Sequence, residues 1–251
     1  MRLATLALAL TAVRASAAQT SGTHRHESKP GTQAGSPDAA AKDRPADPSR
    51  AVHDAMSGTM HDNPHLRMSP PRAATAADSA RAARIVGDAR AALARYRDVR
   101  VAEREGYTMF APNVKDQPVY HFTKMGAAIR AQFRFDATRP TSLLYRKDAG
   151  GSFQLIGAMY TAPKDASWEE LNDRVPLGIA RWHLHTNMCV PRLAERERWR
   201  EIDGGRPVFG PASPIATREA CDAVNGRFLP TVFNWMVHAN VYEDDAWGEH
   251  H

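Results

Sequence analysis

Two rhythms of apolar residues divide the chain. Across residues 75–104, Ile85, Val86, Ala89, Leu93, Tyr96 and Val99 recur at helical spacing, with arginines around the rest of the wheel. This predicts an amphipathic helix that breaks near Asp98 and is ended by Gly106. Downstream the period shortens to two. The runs VYHF (119–122), SLLYR (142–146), FQLIGAMY (153–160), RWHLHT (181–186) and VFNWMVHANVY (232–242) are rich in β-branched and aromatic residues and predict strands. Gly150-Gly151 between the second and third of them is a hairpin signal. Helices are expected in three connections: SWEEL, opened by a Ser167–Glu170 capping box, PRLAERERWRE (191–201), and TREACDAVNG, ending at Asn225-Gly226. The fold class is therefore α+β: an N-terminal amphipathic helix, then a mainly antiparallel β-sheet or barrel with short connecting helices.

Neither rhythm reaches the first 73 residues. The opening MRLATLALALTAVRASAAQ reads as a signal peptide over residues 1–18, with a basic start, an apolar run and small residues at the cleavage region. It implies a secreted or periplasmic protein. The apolar run is too short to span a bilayer, and no other segment approaches that length, so no membrane span is expected. Residues 19–73 are rich in Ser, Thr, Pro, Gly, Ala and charge and cannot bury enough surface to offset chain ordering, which predicts a disordered tail. Residues 74–251 are expected to form a single α+β domain.

The net charge of +5 would suit a nucleic-acid partner if it were concentrated. After residue 72 the chain carries 24 basic and 22 acidic groups, interspersed, which argues against one.

Candidate chemistry lies in the histidines. Between residues 75 and 248 there are only four, His121, His183, His185 and His238, each in a predicted strand. Strand positions two apart share a face, so His183 and His185 project together, away from Trp182 and Leu184. By the same alternation His238 shares a face with Asn234, Met236, Asn240 and Tyr242, while Phe233, Trp235, Val237, Ala239 and Val241 take the other. Three imidazoles held by a rigid sheet suffice as a ligand set for copper or zinc, with His121, Cys189, water or substrate as the fourth ligand. The plainer alternative is a set of polar residues on a hydrated face. In the tail, His53, Met56, Met60, His61, His65 and Met68 pair imidazole with thioether, a combination suited to weak copper collection.

The two cysteines, Cys189 and Cys221, suit a disulfide closing a loop of about thirty residues, which would stabilise the fold by roughly 3–4 kcal/mol. Cys189 as a thiolate ligand is the competing reading. Glu169, Glu170 and Glu243 are available acids without visible pairing. The chain has no G-x-S-x-G elbow, no phosphate-binding loop, no G-x-G-x-x-G and no H-E-x-x-H.

Two resemblances follow from these residues. The H-x-H pair with Gly178 five residues before His183, and the series Gly226, Pro230, His238, Asn240, loosely resembles the two motifs of cupins, β-barrels that hold Fe, Mn or Zn. The chain departs from that pattern where a glutamate should follow, at Cys189 and Val190, and in lacking a glycine just before His238. More closely, ALARYRDVRVAEREGY, Tyr120-His121-Phe122, LLYRKDAGGSFQLIGAMY and the Trp-x-Leu-His strand resemble a family of uncharacterised secreted bacterial proteins, over roughly residues 90–240. That resemblance implies no activity. The expected function is a secreted or periplasmic metal-binding protein using His183, His185 and His238. The alternatives are a metal-dependent hydrolase or cupin-like oxygenase on the same histidines, and a disulfide-stabilised domain that binds a small molecule without metal. Beyond the metal ion, a small molecule or protein partner is left open.

Overall fold

The computed structural model describes residues 63–112 and 117–248. The expected signal peptide and four of the tail residues, His53, Met56, Met60 and His61, lie outside the described residues.

The helix predicted from the first rhythm is α1 (Ala76–Leu93). Thr75 caps it in a reciprocal box with Asp78, and Ala82, Ile85, Ala89 and Leu93 form its buried stripe. The break comes where expected. A 3-10 turn over Ala94–Arg97 leads to Asp98, whose side chain caps the short α2 (Val99–Arg104), and Gly106 at φ +88° turns the chain away.

The second rhythm folds into one open antiparallel sheet. Its strands are β1 (Leu66–Met68), β2 (Thr108–Met109), β3 (Tyr120–Thr123), β4 (Ser142–Lys147), β5 (Phe153–Ala162), β6 (His183–Val190) and β9 (Arg227–Ala239). Their order is β1-β6-β9-β5-β4-β3-β2. Residues 150 and 151 join β4 to β5 as the two glycines signalled, with Gly151 at φ +81°. A separate two-stranded ribbon, β7 (Ile202–Asp203) with β8 (Arg206–Pro207), turns through Gly204 and Gly205, both at positive φ. Helix α3 (Met125–Ala131) follows β3, and α4 (Trp168–Arg174) carries the expected Ser167–Glu170 box. Helix α5 (Arg218–Ala223) holds Cys221.

One helix expectation is corrected. Residues 191–201 form only a 3-10 turn, Arg196–Arg200, in which no residue is buried. The large apolar side chains of this segment, Leu193 and Trp199, are 76% and 47% exposed, so little burial supports a longer helix.

The ordered structure also starts earlier than the composition suggested. Residues 63–73 fall within the expected disordered tail, yet Leu66–Met68 pairs with β6, Ser69 is buried, and Gly178 lies so close to Ala73 and Ala74 that a Cβ there would clash with their backbone. This short segment gains order from backbone pairing, which composition does not report.

The two faces of the sheet are packed differently. One, with α1, α4 and the 3-10 turn, builds the main core from Leu93, Tyr96, Tyr145, Trp182, Trp235 and Val237 among others. The opposite face carries His121, Leu144, Met159, Met236, His238 and His183. This second face is concave. Strands β3 and β9 stand three places apart, about 14 Å along a flat sheet, yet the rings of His121 and His238 are 5.4 Å apart between centres. Gly157 helps make the bend: any side chain there would run into the backbone of Ala239 and Asn240.

Candidate metal centre

Register places the histidines together. His183 on β6 stands opposite Met236 on β9, and on its other side opposite Met68 of β1. His238 stands opposite Met159 on β5. The rings form a row: His185 to His183 at 5.6 Å, His183 to His238 at 5.2 Å, and His238 to His121 at 5.4 Å between centres. Imidazoles sharing one ion through bonds of 2.0–2.1 Å have their centres about 5 Å apart. The row has that spacing pair by pair. It is not a closed cage: among the described residues no group of three or more His, Cys, Asp or Glu side chains is placed to hold a metal ion.

The face is not hydrated. His183 and His185 are each only 3% exposed, as deeply placed as the Trp182 and Leu184 side chains of the opposite face. Alternation on β6 assigned the faces correctly, but polarity did not mean solvent contact. The Nε2 atom of His183 and the Nδ1 atom of His185 are buried without a hydrogen-bond partner among the described residues. Such atoms are costly unless something binds them. Burial, reinforced by His185 and His121, drives the His183 imidazole down to about 3. Burial, with His65 adding to it, drives His185 down to about 4. Both rings therefore keep an available lone pair at neutral pH, the form that coordinates metals.

A β-bulge corrects the alternation on β9. Val232 and Met236 lie four positions apart where their partners His185 and His183 lie two apart. Phe233 sits in the bulge at φ +65°, unusual for a non-glycine residue. It was expected on the Trp235 face; it instead turns outward, 55% exposed, and packs edge-on against Phe110 and near His185. Trp235, Val237, Ala239 and Val241 remain in the main core as expected.

Phe233 forms part of the wall of a cavity of about 280 Å³ on the concave face. His121 and His185 also line it, together with Met159, Met236 and Met125. His183 and His238 lie outside its lining. No Lys, Arg, Asp or Glu is among the described lining residues. Alternation places Met236 on the His238 face, but neither it nor Met159 stands out in the sequence as a candidate ligand. The signal was present in GAMY and NWMVH, where Met159 and Met236 alternate with core residues.

Three other candidates are placed clearly. Cys189 and Cys221 are joined by a disulfide with Cα atoms 5.5 Å apart. That removes Cys189 from any ligand set and builds a second small core with Phe209. His65 is not part of a loose collector. It is 1% exposed, and its Nδ1 and Nε2 lie 3.0 and 2.7 Å from the carbonyl oxygens of Asn187 and Ser213. Its ring N–H donates to one of these two carbonyls, which one depending on the tautomer, and so latches the β1 segment to the body. Met68 leaves the tail as well and takes its place opposite His183. Glu169 pairs with Arg72 at 3.3 Å, Glu170 caps α4, and Glu243 bridges to Arg146 at 2.9 Å.

No helix among the described residues is long and apolar enough to cross a membrane. No protein-family model matches the chain, and no curated protein and no solved structure matches it, which leaves the chemistry of these side chains as the ground for a function.

Proposed function

We propose that the protein binds a transition-metal ion on the concave histidine–methionine face and that its preferred metal is copper, with zinc the weaker competitor. The observation that carries this reading is His183. It is a buried, neutral imidazole whose Nε2 has no hydrogen-bond partner among the described residues, flanked by His185 and His238 at imidazole–metal spacing. Met68 and Met236 stand opposite it on the neighbouring strands. Imidazoles serve either metal, but thioether sulfur favours Cu(I), and the thiolates that would favour zinc are oxidised here to a disulfide. Cu(I) also tolerates low coordination, which suits a row better than a cage does. His121 stands at the far end of the row as an accessory ligand.

Binding is favoured over hydrolysis because no carboxylate is found among the described residues that line the adjoining cavity, so none is in place there to act as a general base. A secreted or periplasmic location accords with the disulfide and with the leader-like first 18 residues.

Elemental analysis of untagged protein purified without added metal, followed by competition with a chromogenic Cu(I) chelator, tests the reading. One tightly held copper is expected in the wild type, and it should be lost in His183→Leu and strongly weakened in His238→Leu and Met236→Leu. Full metal content in the His183 variant would remove the proposal.

A further inference from the structure

The cavity beside the histidine row has a chemistry of its own. Its volume of about 280 Å³ is bounded by aromatic and thioether side chains, chiefly Phe110, Phe233, Met125, Met159 and Met236. The hydroxyls of Thr141 and Thr161, also in its lining, bond to each other at 2.7 Å, which uses part of their hydrogen-bonding capacity. With no lysine, arginine, aspartate or glutamate among the described lining residues, a charged guest would lose its hydration without a counter-charge. A hydrocarbon would fit the walls but offer no hydrogen bond to the His185 imidazole that lines them. A cavity of roughly 150 Å³ lined by apolar side chains takes benzene, so this one has space for one or two fused rings. Edge-on aromatic contacts and sulfur–ring contacts favour a flat guest.

We infer that this cavity is a binding site for a neutral hydroxyarene of one or two rings, its ring between Phe110, Phe233 and the methionines and its hydroxyl hydrogen-bonded to His185. A hydroxyl serves either tautomer of the imidazole, since it both donates and accepts. The inference goes beyond the metal reading and does not rest on it: the two share His121, His185 and Met236, but the cavity needs no metal to take a guest and excludes His183 and His238 from its lining. Phe233 gives the site its mouth: the bulge that holds it at positive φ turns its ring from the core to the rim.

The test uses the full chain after exhaustive chelation, so a failure of metal binding cannot disguise the result. Binding of 2-naphthol, naphthalene and 2-naphthoate is followed by probe fluorescence and calorimetry. The expected result is saturable one-to-one binding of 2-naphthol, about tenfold tighter than naphthalene, the value of one hydrogen bond, and tighter still relative to 2-naphthoate. His185→Leu should erase the preference for the hydroxyl while naphthalene affinity is kept. Two blocking variants, Ala128→Trp on the inner side of α3 and Met125→Trp at the exposed mouth, should abolish binding of both neutral probes with an unchanged circular dichroism spectrum. Absence of saturable 2-naphthol binding, equal affinity for naphthalene or 2-naphthoate, or full binding in a folded blocking variant would each overturn the inference.

Discussion

One sheet here carries two buried faces built by opposite rules. On the core face, three large side chains that carry a polar atom inside each bring it a partner. The hydroxyl of Tyr145 donates to the carbonyl of Tyr96 at 2.7 Å, that of Tyr160 to Ala137 at 2.7 Å, and the indole N–H of Trp182 to Val175 at 3.4 Å. On the concave face His183 and His185 are as deeply placed, yet each leaves a ring nitrogen without a partner among the described residues. The first face is arranged for stability and the second withholds some of it. Neighbours such as Trp182 and His183, one residue apart and on opposite faces, make the contrast measurable.

The largest effect is expected on the core face. Trp182→Ala should cost about 3–5 kcal/mol in urea unfolding, because it empties a fully buried indole site. If His183→Ala in the metal-free protein cost as much, the distinction between the faces would collapse.

Acid should act next, and through the concave face. In an unfolded chain these imidazoles titrate near 6.5, whereas in the fold His185 resists protonation down to about 4 and His183 to about 3. Between those limits the unfolded chain binds more protons, so the stabilisation is whole above pH 6.5 and declines as pH falls. Each histidine contributes up to about 1.4 kcal/mol per pH unit. The metal-free protein should therefore lose about 2–3 kcal/mol between pH 7.5 and 5.5. Chemical denaturation at a series of pH values checks this, and a flat profile would contradict the burial of both rings.

His183→Leu should halve that acid slope. At pH 7.5 it should leave metal-free stability unchanged or raise it by about 1 kcal/mol, since an apolar side chain replaces a buried nitrogen without a partner. A large loss would mean that His183 is structural. The smallest effect is expected from Phe233→Gly. Glycine adopts the positive φ without strain, a gain of about 1 kcal/mol offset by the lost edge contact with Phe110, so unfolding should shift by less than about 1 kcal/mol.

Much of this was legible in the chain because it follows from local periodicity. The helix stripe of Ile85, Ala89 and Leu93, the Ser167–Glu170 capping box and the assignment of Trp235 and Val237 to one face of β9 need no tertiary information. The disulfide was readable from two cysteines in an expected oxidising setting. Three things were not legible. Burial of the histidine face depends on sheet curvature, which rests on Gly157 lying close to the backbone of β9, its neighbour in the sheet but far away in sequence. The bulge at Phe233 depends on mismatched register between β6 and β9. The order of residues 63–73 depends on an edge being open to receive them, and polar, proline-containing composition hides that.

That last segment has a consequence for how copies of the chain meet one another. Strand β1 covers part of the outer edge of β6, with the bonds from Ser69 to Trp182 and from Thr186 to His65 extending the cover. Uncovered, this edge would present the backbone groups of an apolar-flanked strand, a template on which another molecule can add. A chain cut at residue 74 should therefore suffer in self-association more than in unfolding, with light scattering that climbs with protein concentration; a chain cut at residue 63 should stay monodisperse. Eleven residues of unpromising composition act as the sheet's guard against its own kind.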